Sequence, residues 1–268
     1  MTIRGRIFAF FVSGSTGIAA LASATEPTLT ISREHPSFDI ARSRLAVGHD
    51  GRVYLASDHF LLGMNPDGTG KRGSAALPGW LRMAAANAAG VIATANAGFS
   101  HSINLWGHDY EPVGSVADFL VSDAMGWISP PDVEAGDSGD FYGLDANQRR
   151  IVRIAIPGRV MTTYPLERLP ENTVGRAWQL RVWEPGRRFY LVSGRARQIH
   201  AVTFDGTPLW SVPTRVVADD IYGWHGGLDV DDRGRLLVLP EGDDTVQIYD
   251  ATGKALAPLH LHMGERKG

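Results

Sequence analysis

The segment Gly226 to Leu259, GGLDVDDRGRLLVLPEGDDTVQIYDATGKALAPL, constrains the fold of this 268-residue chain more than any other stretch, because it returns in blurred form along most of the sequence. Leu228 to Asp231, Leu236 to Leu239, Val246 to Tyr249 and Ala255 to Leu259 read as four strands, with turns at Arg233-Gly234 and Ala251-Thr252-Gly253. Aligned on the glycine of the first turn, earlier copies read LAVGHDGRVYLAS at Gly51, MAAANAAGVIATA at Gly90, VEAGDSGDFYGLD at Gly139 and LRVWEPGRRFYLV at Gly186. The spacings from Gly51 to Gly234 are 39, 49, 47 and 48 residues, the period of a four-stranded unit repeated around an axis.

Strand chemistry explains why such units must associate. Arg52-Val53-Tyr54-Leu55 and Arg188-Phe189-Tyr190-Leu191 are β-branched and aromatic, bounded by Gly, Asp and Pro, and so suit sheets buried on both faces. One sheet of this size is marginal alone, whereas stacking in a ring buries both faces and protects the strand edges. The expected fold class is therefore all-β, a β-propeller of four-stranded antiparallel blades near residues 45–79, 82–120, 128–166, 178–214 and 226–262. A sixth blade is absent or incomplete. Residues 25–44 form an amino-terminal strand, Leu29 to Ser32, and a linker, so the ring is either five-bladed with that strand added or a sixth blade cut short. Outside the leader, no stretch holds the apolar spacing of a helix.

Composition excludes several classes. A net charge of -3 without a basic block gives no footprint for nucleic acid. The absence of cysteine rules out disulfides, thiol catalysis and thiolate metal sites. At the amino terminus, Arg4 and Arg6 precede an apolar run from Ile7 to Val12, and Ala22-Ser23-Ala24 ends the stretch, the order of a secretory signal peptide over residues 1–24. Cleavage there leaves an exported chain, periplasmic or extracellular, with no segment long and apolar enough to span a bilayer.

The motifs LDVDDRGRLLVLPEGDDTVQIYDATGKAL and LAVGHDGRVYLAS resemble NHL-type repeats and their six-bladed propeller relatives over about residues 45 to 259. That resemblance implies the fold and leaves function open, since binding scaffolds, lactone hydrolases and lyases share it. Gluconolactonase-type relatives imply a divalent cation at the channel mouth, held by Glu, Asn and Asp, two of these sites lying eight residues before the turn glycine. Ser43, Arg82, Pro131, Trp178 and Gly226 occupy those slots here, none a carboxylate or amide, so no metal and no other cofactor is expected.

Candidate ligand-binding residues lie in the loops leading to the inner strands. Trp80, Trp127, Trp178 and Trp224 each stand just before such a strand, 47, 51 and 46 residues apart. They form either an aromatic rim able to stack on a sugar or a set of wedges between blades. Arg82, Tyr222 and His225 complete the set, and Asp219, Asp220 and His225 are the acid/base residues of a hydrolytic alternative. In mid-strand, Ala46, Ala85, Glu134, Arg181 and Asp229 place opposite charges on three successive blades, a pattern that buried pairing accounts for.

Other motifs belong to the repeat. Gly136-Asp137-Ser138-Gly139 matches the surroundings of a serine-protease nucleophile but falls at a first turn. Gly68, Gly70 and Gly73 satisfy a phosphate-loop pattern without opening a helix, and Asp229, Asp231 and Asp232 lack the downstream Glu of a calcium loop. His260 and His262 are too few for a metal site.

The sequence thus points to an exported binding module with a small-molecule or protein ligand at the channel mouth, carbohydrate being the first class to test. The alternatives are a divergent propeller hydrolase of lactones or esters and a structural or sensory module of a larger assembly.

Overall fold

Every strand of the computed structural model is antiparallel to its neighbours, and sequential strands pair in sequential order. The structure describes residues 8–9, 18–21, 28–29, 44–57, 59–74, 77, 80–97, 102–116, 132–146, 148–170, 177–193, 198–213, 227–240 and 245–260. Among these there is no helix, and five four-stranded sheets are arranged as a five-bladed propeller. The inner strands are Arg44–Val47, Trp80–Ala86, Val133–Ala135, Ala177–Trp183 and Gly227–Val230. Blades one and five have the shortest outer strands, Arg72–Gly73 and Leu259–His260, and in blade five Ala255 is bridged singly to Tyr249.

The turn glycines that carry the alignment have a physical basis. Gly51, Gly90, Gly139 and Gly234 all have φ between 71° and 88°, a region that favours a residue without Cβ. Blade four differs, because its left-handed residue is Arg187, at φ 51°, and Gly186 is an extra residue in the turn. Gly186 is glycine for a packing reason: a Cβ there would meet the Trp183 indole at 2.0 Å. The added residue lies within the turn, so Arg181 still pairs with Tyr190 as Glu134 pairs with Tyr142 and Ala46 with Tyr54.

Stacking of blades makes the core. Tyr54, Leu61, Ile92 and Trp106 join blades one and two, and Ala93, Leu105, Phe141 and Ile154 join two and three. Blades three and four share the most aromatic interface, where Phe189 and Phe204 stack at 4.4 Å beside Tyr142 and Tyr164. Tyr190, Val192, Leu228 and Val238 join four and five.

The fifth junction is different. The outer face of blade five carries Leu237, Leu239 and Val246, that of blade one carries Val53, Leu55 and Met64, and these form two separate clusters. A small three-stranded sheet of Phe8–Ala9, Ile18–Leu21 and Thr28–Leu29 lies with its first strand against Arg44–Val47 of blade one. The described part of the leader is therefore strand, and the strand expected at Leu29 to Ser32 is seen at Thr28–Leu29.

First turns also tie neighbouring blades together. Glu184, at the blade-four turn, accepts hydrogen bonds from the Ser138 amide (2.6 Å), the Ser138 hydroxyl (2.7 Å) and the Tyr142 hydroxyl (2.5 Å). Burial alone would raise the Glu184 carboxyl pKa, but the bonds from Tyr142 and Ser138 outweigh it and hold the group below its ordinary value. Ser138 is thus a structural contact between blades, as its place in the repeat predicts.

Candidate functional site

The side chains that converge near the propeller axis belong to blades three, four and five. Arg181, in the middle of the blade-four inner strand, donates from Nε to the Leu228 carbonyl of blade five (2.8 Å) and from Nη1 to its neighbour's carbonyl, Leu180 O (2.6 Å). The same Nη1 lies 3.1 Å from Glu134 Oε2 and 3.4 Å from Asp132 Oδ2 on blade three. Asp229 adds its field from blade five. One guanidinium therefore links three inner strands. Its pKa is raised above the ordinary arginine value, because the carboxylates of Glu134, Asp132 and Asp229 outweigh the burial that would lower it.

Asp132 is the most constrained member. It is fully buried, and Oδ2 accepts the Leu180 amide at 2.7 Å while Oδ1 accepts the Val133 amide at 2.8 Å. Burial dominates, and the carboxyl is pushed up to about 7 despite Arg181 and these amides. The same position one blade on is Gln179, which pairs with Val192 as Asp132 stands opposite Leu144. Gln179 is only 8% exposed, and its Oε1 has no hydrogen-bond partner.

Counting along the sequence misses this row because it stands seven residues before each aligned glycine and the count of eight falls one residue before it. In blade two the register shifts between Leu81 and Met83, and in blade four between Ala177 and Gln179. Eight residues back from the turn glycine falls on Arg82 and Trp178, the extra residues of those bulges. The ladder instead aligns Arg44, Met83, Asp132, Gln179 and Gly227. A carboxylate and an amide do stand near the mouth, one residue past the counted slots, and the cation beside the carboxylate is Arg181. Among the described residues no group of three acidic or histidine side chains could hold a metal ion.

The expected aromatic rim is described only in part. Trp80 opens its inner strand and Trp178 is the second residue of its own, so both lie in the ladder region itself. The side chains of Trp80, Arg82 and Trp178 lie outside the described residues, as do Trp127, Asp219, Asp220, Tyr222, Trp224 and His225 entirely. Three other tryptophans pack within or between blades. Trp106 donates to Thr94 Oγ1 at 2.9 Å, Trp183 covers Gly186 and Gly234 of successive turns, and Trp210 covers Gly253 and donates to Ala251 O at 3.0 Å.

The remaining motifs are structural. Gly68 and Gly70 lie in a hairpin turn closed by the Gly68 amide on Asn65 O. Asp231 accepts the amides of Arg233 and Arg235 and pairs with the Arg235 guanidinium at 2.6 Å, which occupies it as a turn residue. His260 is exposed beside Thr245, and His262 lies outside the described residues.

No family profile matches the sequence, and no curated protein matches it. Solved structures do match. A streptogramin B lyase is 14% identical, with a TM-score of 0.57 over 83% of this chain and 69% of that one. A catalytically inactive virginiamycin B lyase variant from Staphylococcus aureus, with quinupristin, is 13% identical, with a TM-score of 0.58 over 84% and 73%. The nidogen/laminin complex gives 13% identity and a TM-score of 0.62 over 96% of this chain and 94% of that one. At these identities the likeness is one of fold, shared by proteins of different activity.

Proposed function

We propose that this propeller is a binding module whose ligand, a small polar molecule or a protein segment, sits at the channel mouth above blades three to five. The observation that carries the reading is the Asp132, Glu134, Arg181 and Asp229 constellation, which concentrates charge on one side of the channel. Buried charges are costly unless paired, so a structural role alone would be met more cheaply by apolar side chains such as those that fill the blade interfaces. The solved neighbours include both lyases and a protein complex, which fits a mouth adapted to different ligands on one scaffold. The leader order at Arg4 to Ala24 supports export, and the NHL-type pattern supports kinship with the six-bladed relatives.

Carbohydrate remains the first ligand class to test, because Trp80 and Trp178 are carried at the mouth ends of two inner strands. Tryptophan fluorescence titrated with a panel of neutral, cationic and anionic sugars reads this directly. A saturable change that Glu134→Gln weakens is the expected result. Emission that no sugar alters, with Glu134→Gln indistinguishable from the parent, would leave the constellation as packing only.

A further inference from the structure

We infer that the ligand at this mouth presents a protonated primary amine, with Gln179 Oε1 accepting one N–H and the carboxylates of blades three and five supplying the complementary field. The inference rests on the binding reading above and narrows it to a ligand class. Two independent observations carry it. The first is the orphaned acceptor: Gln179 is more than nine-tenths buried, yet Oε1 has no partner. A buried carbonyl oxygen left unpaired costs about 1–3 kcal/mol, so the position calls for a donor.

The direction of Gln179 follows from the ladder. Arg181 pairs with Tyr190 and Gln179 with Val192, and Tyr190 and Val192 both belong to the interface with blade five. Gln179 and Arg181 thus project from the same face of their strand, Gln179 nearer the mouth. The corresponding row of blade five is Gly227, which offers no side chain to answer the amide. Among the described residues this row of blade five thus supplies no side-chain donor to Oε1.

The second observation is charge. Glu134 and Asp229, joined by Asp132 to the extent that it is ionised at pH 7, stand around one guanidinium, so the surroundings favour a positive group. A divalent ion fits poorly, since it would have to share the site with Arg181 and find three convergent ligands that the described residues do not offer. An ammonium needs only separate acceptors, and it can bond Gln179 while the carboxylates neutralise it from further away.

Paired probes separate this inference from the reading beneath it. Glucosamine and n-butylammonium carry the amine, and glucose and n-butanol lack it, so titrations at pH 7 and constant ionic strength are followed through the Leu180 and Arg181 backbone amide resonances, which every variant retains. The amines are expected to shift those resonances saturably and at least tenfold more tightly than their neutral counterparts. Gln179→Leu should lose about tenfold in amine affinity, and Gln179→Glu should retain or strengthen it. Because Gln179→Leu removes the unpaired carbonyl and keeps the fill, a denaturation midpoint at or above the parent's would confirm that it folds.

Glucose binding as well as glucosamine would overturn the amine and leave the binding reading standing. Failure of every probe, with a crystal structure showing only an ordered water on Oε1, would overturn both.

Discussion

Two halves of the channel wall occupy equivalent ladder positions and carry opposite chemistry. Blades one and two present Ala46 and Ala85 at mid-strand, each paired with the strand behind it as in the other blades. At that mid-strand position blades three, four and five present Glu134, Arg181 and Asp229, while the row nearer the mouth holds Asp132 and Gln179 on this side and Arg44 and Met83 on blades one and two. The backbone frame is common to both halves, so strand geometry does not demand charge at this position. Alanine satisfies the fold there, and the charged half therefore reports a requirement beyond folding.

The largest expected effect breaks the charged half at its centre. Arg181→Met keeps the stem but leaves Asp132, Glu134 and Asp229 without their shared cation, and loss of one partner of a buried ionic group costs about 3–5 kcal/mol. Urea denaturation should show that loss, greater at pH 8 than at pH 5 as Asp132, its pKa pushed up to about 7 by burial, ionises. A loss below about 0.5 kcal/mol would make the charged and alanine halves equivalent in energy.

Asp132 gives a smaller and more selective signal. Burial holds its folded-state pKa near 7, above the ordinary carboxylate value of about 3.9 in the unfolded chain. The folded protein thus keeps the proton that the unfolded chain has released, and the stability this contributes is full below about pH 4 and declines as pH rises to about 7. Asp132→Asn removes that titration, so the stability profile between pH 4 and 7 should flatten. An unchanged slope would place the titration elsewhere.

The smallest effect belongs to the other half. Ala46→Ser adds one hydroxyl to a partly exposed position with no charged neighbour among its ladder partners, and should change stability by less than about 0.5 kcal/mol. A cost comparable with that of Arg181→Met would show that the alanine row is as constrained as the charged one.

Much of the fold was legible because the repeat is written in turn residues. Gly51, Gly90, Gly139 and Gly234 mark left-handed turns that few other residues adopt, and strands such as Phe141–Asp145, Arg188–Ser193 and Leu236–Leu239 run apolar on both faces, as sheets packed on both sides require. Blade four hid its turn residue, Arg187, behind Gly186, yet the count along the inner strand survived and Arg181 was placed correctly against Glu134. Asp132 and Gln179 were not legible. They stand two residues before Glu134 and Arg181 in the same register, and the count of eight from the turn glycine fell one residue before them, on Pro131 and Trp178. A search for polar residues one residue past the counted slots would have found both. The short outer strand of blade five and the paired leader strands were also unmarked, since two-residue strands carry no period.

The account turns on whether the cross-blade constellation acts as a linked unit, and a double-mutant cycle between Glu134→Gln and Arg181→Met, read by urea denaturation, measures that most directly. A coupling energy of about 1–3 kcal/mol is predicted for contacting partners in one ionic network. Additive effects, with coupling near zero, would contradict the claim that the charged half of the channel is a single built site.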